Sequence, residues 1–323
     1  MKKTHLLNLI LMIGLSLNIQ FSYAIDDIKN SQCSTINVAN EKIALNSDKN
    51  VKILNAFNDT TFSSDIADWK LYVDSESHVG QFFNQPAGIW LKGSDNDLAV
   101  VSNAIHNSVK AAPLFVTYFI PTKNSYKPDQ NKINDYIIRN INIAKTIGNQ
   151  RAIIIIEPDL LCLSLNTPGL LTVNQQIITE VVKNYKTFSP NARIYIDAGH
   201  SNWHQAYKVA WMLKGAGIDK ADGFATNVSN FQFTDNELNY AGTLSKLLNG
   251  KRFVIDTSRN GNGPGKERNN AHEWSDPIGI KVGYRPTTLV THKGLDAFLW
   301  VKPPGEADGT AFPAGSWHPE LLD

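Results

Sequence analysis

Short apolar runs alternate along the chain with longer stretches in which apolar and polar residues are mixed. The clearest run spans residues 152–156, an alanine followed by four isoleucines. A β-branched run without polar alternation is typical of a parallel strand that is buried on both faces. The sequence predicts this strand and further strands at residues 71–74, 114–120, 193–197, 223–226, 253–256 and 297–301.

The stretches between the strands carry the periodicity of amphipathic helices. In residues 133–147, Ile133, Ile137 and Ile141 recur every four positions and so share one helical face. Helices are predicted there, near 77–84, and over 173–185, 203–213 and 238–248. Strand–helix alternation repeated this often predicts a parallel sheet with helical crossovers. A count of seven or eight strands favours an α/β barrel, although the spacing also admits an open sheet.

The N-terminal segment has the pattern of a secretory signal peptide. Two lysines precede an apolar run over residues 6–17, and small residues follow up to Ala24. This pattern predicts that residues 1–24 are removed and that the mature, exported chain starts at Ile25. A membrane anchor is the alternative, but the run is interrupted and short for a span. We expect residues 25–323 to form a single domain without membrane contact.

Composition and charge narrow the class of protein. The chain has 42% hydrophobic and 19% charged residues and a formal net charge of +1. These values are typical of a globular protein, and they give no reason to expect nucleic acid as a partner. The two cysteines, Cys33 and Cys162, could form a disulfide in an oxidising compartment, or Cys162 could be an inert buried thiol.

Polar residues follow several predicted strands at the point where each strand ends. Glu157, Pro158 and Asp159 come directly after the isoleucine run, and the proline stops regular strand pairing there. The residues at the other strand ends are Tyr118, Asp197, His200, Asn227, Asn230, Asp256, Arg259, Lys302, Glu306 and Asp308. In a parallel barrel the carboxyl ends of all strands meet on one face, where active sites are found. Because such side chains are rarely buried without partners, we expect them to form a functional site.

The residue types expected at this face are typical of a glycosidase. Asp159, Asp197 and Asp308 supply three acids, with Arg259 and Lys302 as counter-charges. The aromatic residues nearby in the sequence are Trp90, Tyr118, Trp203 and Trp274. Acids flank the scissile bond in glycosidases, and indole rings stack on the apolar faces of sugars. For Trp203, which lies on a predicted helix, packing in the core is an equally good interpretation.

Motifs of other enzyme classes do not fit. The glycine-rich segment at residues 261–266 is one residue short of a phosphate-binding loop and is followed by Glu267. The chain contains no HExxH motif, and two cysteines cannot form a structural zinc site. His200 and His204 could bind a metal as a pair, but a sugar hydroxyl is the more natural partner for His200. We therefore predict neither a metal nor a cofactor.

Six sequence blocks stand in order between residues 157 and 309. They are EPDLL (157–161), DAGHSNWH (197–204), ATNVSNF (225–231), IDTSRNGNG (255–263), HEWSDP (272–277) and AFLWVKPPGEADG (297–309). Together these blocks resemble the signatures of glycoside hydrolase family 6. Enzymes of this family are cellulases that cut β-1,4-glucan with inversion. The resemblance implies a distorted parallel (β/α) barrel of seven or eight strands, with a β-1,4-linked glucan chain as its partner.

The resemblance also implies roles for individual residues. Asp159 looks like the general acid that protonates the leaving glycosidic oxygen, and Asp308 looks like the base, held charged by two cations, Arg259 and Lys302. Tyr118 would crowd the sugar at the cleavage point and favour a distorted ring. At the remaining positions, Trp90, Trp203 and Trp274 would stack on glucose units, His200, Asn227, Lys302 and Glu306 would bind hydroxyls, and Asp197 would support the site.

The chain departs from the family pattern at one acid and at the family's cysteines. Asn124 stands where the family has an aspartate that supports the general acid. An amide cannot accept a proton, so this position puts full activity in doubt, and Asp129 is the nearby carboxylate that could compensate. Ser125 and Ser275 stand where disulfide cysteines are expected.

Two short segments bear on how a glucan chain is cut. The segment after Gly309 and the one between Asp159 and Val173 are both brief, so we expect an open cleft and internal cutting. The sequence therefore predicts a secreted, monomeric endo-1,4-β-glucanase. The alternatives are a glucan-binding protein that has lost turnover, a cellobiohydrolase, and a hydrolase of another β-glycan.

Overall fold

The computed structural model describes residues 64–122, 129–268 and 274–322. Within these residues, seven strands form one parallel sheet in which each strand pairs with the next in chain order. The strands are β1 (Ile89–Leu91), β2 (Leu114–Thr117), β3 (Ile153–Ile156), β4 (Arg193–Asp197), β5 (Gly223–Thr226), β6 (Arg252–Asp256) and β7 (Leu295–Leu299). Because parallel neighbours need long crossover connections, the carboxyl ends of all seven strands lie on the same side of the sheet.

The sheet curls far enough for its two ends to meet. The backbone N–H of Gly88, just before β1, donates to the carbonyl oxygen of Trp300, just after β7, at 2.8 Å. The indole N–H of Trp90 in β1 donates to the carbonyl oxygen of Val301 at 2.9 Å. The fold is therefore the distorted parallel α/β barrel that the sequence predicts, and its described part has seven strands.

Helices connect and flank the strands. In the described part of the chain they are α1 (His78–Phe83), α2 (Asp97–Ser108), α3 (Gln130–Ile147), α4 (Leu160–Ser164), α5 (Pro168–Phe188), α6 (Ala206–Gly215) and α7 (Thr234–Leu247), followed by a 3-10 helix (Pro319–Leu322). The helices predicted before β1 and after β2, β3, β4 and β5 are confirmed, with shifted bounds. Among the described residues, no helix combines the length and the apolar character that crossing a membrane requires.

The sequence-based assignment of the first strand is wrong. Residues 71–74 form no strand, and Leu71 makes only a single isolated bridge. The first strand is Ile89–Leu91, whose three residues are too few to show a periodicity. Helix α2 was also not predicted, because two of the four buried positions on its inner face are the polar residues Asp97 and Ser108.

Alternate residues of the central strand face two different cores. Ile153 and Ile155 belong to the apolar cluster inside the barrel, whereas Ile154 and Ile156 pack in the larger cluster beneath the helices. All four side chains are at most 1% exposed, so the prediction of a strand buried on both faces is confirmed. This strand gives the residues that follow it a rigid base.

Some sequence-based expectations fall on residues outside the described ranges. These include residues 1–24, Cys33 and Asn124. Cys162 is described and is a free thiol with 2% exposure. Burial raises its pKa, so the thiol stays protonated and unreactive at neutral pH.

Candidate active site

The loop after β3 carries the candidate general acid. Asp159 is half-buried and has a left-handed backbone with φ +70°. Its backbone N–H donates to Oδ2 of Asp197 at 3.0 Å, and the same oxygen accepts from the N–H of Gly199 at 3.1 Å. Asp197 is the last residue of β4 and is 3% exposed. Asp197 therefore accepts a hydrogen bond from the backbone of the loop that carries Asp159.

A second carboxylate of the same loop, Glu157, holds the segment after β2. It is 2% exposed and accepts hydrogen bonds from the backbone N–H of Phe119 at 3.1 Å and of Ile120 at 3.4 Å. The hydroxyl of Tyr136 on α3 donates to it at 3.1 Å. No role for Glu157 follows from the sequence alone, although two acids two residues apart at the end of a buried strand are a signal for one.

The phenol of Tyr118 is partly buried beside Trp90 and lies within range of several carboxylates. Its ring packs edge-on against Trp90, with 5.2 Å between the ring centroids. Burial raises the pKa of the Tyr118 phenol, and the charges of Asp159 and Asp308 both raise it further. A single phenol feels both carboxylates although they follow different strands, β3 and β7. The structure therefore brings these two acids to the same region of the barrel mouth.

Two cations hold the candidate base, Asp308, whose side chain is 11% exposed. Nη1 of Arg259 donates to Oδ2 of Asp308 at 2.7 Å, and Nζ of Lys302 lies 3.6 Å from Oδ1. Arg259 is itself 2% exposed, lies 4.4 Å from the ring centroid of Phe231, and donates from Nη2 to the carbonyl oxygen of Ser229 at 2.5 Å. This rigid setting favours a carboxylate of fixed orientation.

Lys302 also connects the base to the rest of the barrel mouth. Its Nζ lies 3.9 Å from Oε1 of Glu306 and 5.8 Å from the ring centroid of Trp90. Trp90 belongs to β1 and Lys302 follows β7, so this contact spans the point where the sheet closes. The structure therefore brings together five residues that the sequence predicts for the site: Trp90, Tyr118, Lys302, Glu306 and Asp308.

A buried acid that the sequence analysis left without a role ties three loops together. Asp256, the last residue of β6, is 1% exposed. Its carboxylate accepts from the backbone N–H groups of Ser229, Ser258, Val301 and Lys302 at distances from 2.9 to 3.2 Å. It thereby positions the segments that carry Arg259 and Lys302. Only the tertiary structure reveals these partners, because they come from three different segments.

Asn227 directly follows β5 and lies within the network of loops after β5 and β6. Its side chain is fully buried, and its Nδ2 donates to the carbonyl oxygens of Asp256 at 2.9 Å and of Gln232 at 3.3 Å. Its Oδ1 accepts from the N–H of Gln232 at 3.0 Å. Asn227 therefore supports the loops around it, and its contact with a sugar hydroxyl stays a prediction.

The loop after β4 brings His200 and Trp203 together. Their ring centroids are 5.6 Å apart, and Trp203 stacks on His204 at 5.4 Å. Burial, with a smaller contribution from His204, lowers the pKa of His200 to about 4, so its imidazole is neutral at neutral pH. Nε2 of His204 contacts the carbonyl oxygen of Cys162 at 3.1 Å. Among the described residues, no cluster of three or more His, Cys, Asp or Glu has the geometry of a metal site.

The remaining predicted residues lie at the edges of the described ranges. Trp274 is 56% exposed, which suits a ring that stacks on a ligand from outside. Asp129 is exposed and caps α3, with its Oδ1 accepting from the N–H of Asn131 at 2.9 Å. The cap gives Asp129 a structural role of its own at the start of the helix.

The sequence model of one protein family covers most of the chain. The family is described as Glycosyl hydrolases family 6, and its model matches residues 62–318. The chain belongs to glycosyl hydrolases family 6. This result confirms the family resemblance carried by the six sequence blocks.

Individual family 6 proteins match over a large part of this chain. Endoglucanase A of Thermobispora bispora is 37% identical over 64% of this chain and 46% of its own length. The 1,4-β-D-glucan cellobiohydrolase C of Emericella nidulans is 33% identical over 55% of this chain and 46% of its own length. In each match, this chain spans about half the length of the curated relative.

A solved family 6 structure shares the fold. The endoglucanase Cel6 of Mycobacterium tuberculosis, in complex with a methyl-cellobiosyl-4-deoxy-4-thio-β-D-cellobioside, has a TM-score of 0.68 and 30% sequence identity. The match covers 80% of this chain and 97% of that protein. The barrel architecture described above is therefore the architecture of the family.

Proposed function

We propose that the chain is a secreted, endo-acting β-1,4-glucanase that hydrolyses its substrate with inversion. The observation that carries the proposal is the setting of Asp308: Arg259 and Lys302 hold its carboxylate, and Lys302 also lies over the ring of Trp90, which packs on Tyr118. Asp159 follows a different strand, β3, and its charge acts on Tyr118 as that of Asp308 does: both add to the rise that burial causes in the pKa of the phenol. Such a pair of carboxyl groups beside aromatic rings suits a sugar chain lying between them.

The two acids would divide the chemistry between them. Asp159, protonated, gives its proton to the glycosidic oxygen as the bond to the anomeric carbon breaks. A water molecule attacks the anomeric carbon from the opposite face and gives its proton to Asp308. An inverting site needs room for that water, which corresponds to a separation of roughly 6.5–9.5 Å between the carboxyl groups. The cations around Asp308 keep its carboxylate oriented towards the water.

The substrate class comes from the relatives. An endoglucanase and a 1,4-β-D-glucan cellobiohydrolase both match the chain, and the solved relative binds a thio-linked cellobioside. Cellulose or a related β-1,4-glucan is therefore the proposed substrate. The short segment between Asp159 and Val173 supports internal cutting, since it leaves little chain to roof the cleft. The signal-like segment at residues 1–24 supports export.

Two variants tested on substrates with different leaving groups examine the acid and base roles. On cellotetraose, Asp159→Asn and Asp308→Asn should each lower kcat at least about 10²-fold. On dinitrophenyl β-cellobioside, whose phenolate leaves without protonation, Asp159→Asn should lose far less activity than Asp308→Asn. Unchanged thermal unfolding of both variants serves as the control for folding. Equal losses on the aryl substrate would remove Asp159 from the acid role.

Stereochemistry and product pattern test the remaining parts of the proposal. Proton NMR of freshly formed product should show the α-anomer, and a β-anomer would contradict inversion. With carboxymethylcellulose, viscosity should fall early, before many reducing ends are released, as internal cutting requires. Steady release of cellobiose without loss of viscosity would instead identify a cellobiohydrolase. N-terminal sequencing of exported protein should begin at Ile25.

A glucan-binding protein without turnover is the second candidate, because Asn124 stands where the family resemblance implies a carboxylate. Calorimetry with cellotetraose separates the two candidates when it is combined with the assay for reducing ends. Binding without any release of reducing ends would support the second candidate. Release of reducing ends at a rate abolished by Asp308→Asn would support the first.

A further inference from the structure

The loop that carries Asp308 is held by a buried carboxylate outside the proposed acid–base pair. Asp276 is 1% exposed and lies in the segment before β7. Its Oδ1 accepts from the N–H of Asp308 at 2.6 Å. Its Oδ2 accepts from the N–H groups of Gly309, Thr310 and Ala311 at 3.1, 2.8 and 2.9 Å. Four consecutive backbone donors therefore converge on one side chain.

The contact between the two aspartates is reciprocal. The backbone N–H of Asp276 donates to Oδ2 of Asp308 at 3.2 Å, and the same oxygen accepts from Arg259 at 2.7 Å. Oδ2 of Asp308 is thus held by two donors, and Oδ1 is the oxygen turned towards Lys302, 3.6 Å away. The backbone of Asp276 and the guanidinium of Arg259 therefore bind the same carboxylate oxygen of Asp308.

The segment around Asp276 is itself anchored. Nε of Arg268 donates to the carbonyl oxygen of Asp276 at 2.8 Å. The hydroxyls of Ser275 and Thr310 lie 2.6 Å apart. The backbone of Asp276 is left-handed, with φ +49°, a conformation that Asp and Asn adopt more readily than most residues. A glycine adopts it without strain.

A negative charge on Asp276 suits a side chain that accepts hydrogen bonds from four backbone N–H groups. Burial by itself raises the pKa of the Asp276 carboxyl, but the backbone N–H groups of residues 308–311 together hold the pKa below its ordinary value. The side chain is therefore ionised whenever the site operates near neutral pH. An ionised carboxylate accepts at both oxygens, as four donors require, whereas a protonated or amidated side chain places a donor against other donors.

We propose that Asp276 is the positioning residue of the catalytic base: it sets the orientation of Asp308 by binding all four backbone donors of its loop. This inference rests on the proposed function of Asp308. Asp276 does not touch the substrate in this assignment, and it acts only through the carboxylate of Asp308. A misplacement of about 1 Å in a catalytic group can cost on the order of 10²-fold in rate.

The test variant is Asp276→Asn, which keeps the size of the side chain and tolerates the backbone but turns one acceptor into a donor. We expect kcat to fall by on the order of 10²-fold with KM nearly unchanged. The loss should be equal on cellotetraose and on dinitrophenyl β-cellobioside, because water activation is impaired and leaving-group protonation is not. Ser275→Ala, which removes the neighbouring hydroxyl contact, is the matched control and should keep its kcat within about twofold.

A double-mutant cycle separates positioning from general structural damage. On the aryl substrate, adding Asp276→Asn to Asp308→Asn should cause little further loss, because the carboxylate through which Asp276 acts is already gone. Multiplicative losses in the double mutant would overturn the inference, and so would a change confined to KM. Asp276→Gly suits the left-handed backbone and replaces Asp276→Asn in the same measurements if that variant does not fold.

The outcomes distinguish this inference from the proposed function. Wild-type activity in Asp308→Asn would overturn the proposed function, whatever the behaviour of Asp276. An inactive Asp308→Asn together with wild-type kcat in Asp276→Asn would overturn only the positioning role.

Discussion

The backbone N–H of Asp159 donates a hydrogen bond to Oδ2 of Asp197 at 3.0 Å. Asp159 follows β3 and Asp197 ends the neighbouring strand β4, 38 positions later in the chain. Asp159 has a left-handed backbone, a conformation that costs free energy for residues other than glycine and that its surroundings help to hold. Asp197 supplies part of that constraint, so the last residue of β4 shapes the loop that follows the preceding strand, β3.

Removing the Asp197 carboxylate should therefore misplace the candidate acid. We expect Asp197→Ala to lower the free energy of unfolding by about 1–3 kcal/mol, because it leaves two buried backbone donors unpaired. Its kcat on cellotetraose should fall more than its kcat on an aryl glycoside, because the damage concerns protonation of the leaving group. Asp197→Asn, which keeps one acceptor oxygen, is the matched control. Equal losses for both substrates in Asp197→Ala would contradict this account.

His200 should make the fold less stable in mild acid. Its pKa is about 4 in the folded protein, below the ordinary value of 6.5 that applies to the unfolded chain. Between these values the unfolded chain binds the proton and the folded chain does not, so the stability contributed by neutral His200 is lost as the pH falls. Urea unfolding at pH 7 and pH 5 should show a smaller drop for His200→Gln than for the wild type. An equal drop in both proteins would refute the prediction.

Gly199 should not accept a side chain. Its φ is +66°, and an added Cβ would lie 2.8 Å from Sγ of Cys162 and 3.1 Å from the ring of Trp203. Gly199→Ala should therefore lower the free energy of unfolding by more than about 1 kcal/mol. Gly169→Ala is the control, since no atom lies within 4 Å of its added Cβ and the position is in α5. That variant should be as stable as the wild type or more stable, by up to about 1 kcal/mol. Thermal unfolding measures both.

Asn124 is the position at which the family resemblance predicts a gain of function. An aspartate there should raise kcat at least about tenfold, because a carboxylate that assists proton transfer contributes 10²–10⁴-fold in other enzymes. Asn124→Ala is the matched control and should bring no gain. If kcat falls in Asn124→Asp, the site has adapted to the amide. The assay is initial-rate release of reducing ends from cellotetraose.

The sequence by itself determined the class of fold and most of its elements. The bounds predicted for β4 (Arg193–Asp197) and β5 (Gly223–Thr226) are those of the structure. Buried strands and amphipathic helices can be predicted from short stretches of sequence, because their apolar side chains recur with the periodicity of the strand or helix. The polar residues at the strand ends could also be grouped from the sequence, because a parallel topology places the carboxyl ends of all strands on one face.

Only the tertiary structure decided which polar side chain serves which purpose. Asn227 follows β5 and Asp256 ends β6. In the structure, both side chains form hydrogen bonds with the backbones of neighbouring loops. Asp276 was not singled out at all, although it holds the loop of Asp308 from 32 positions away in the chain. The physical reason is that a buried carboxylate is stable only when donors surround it, and those donors come from segments that are distant in sequence. Folding of the chain brings these donors together, and no short stretch of sequence shows which donors will contact which carboxylate.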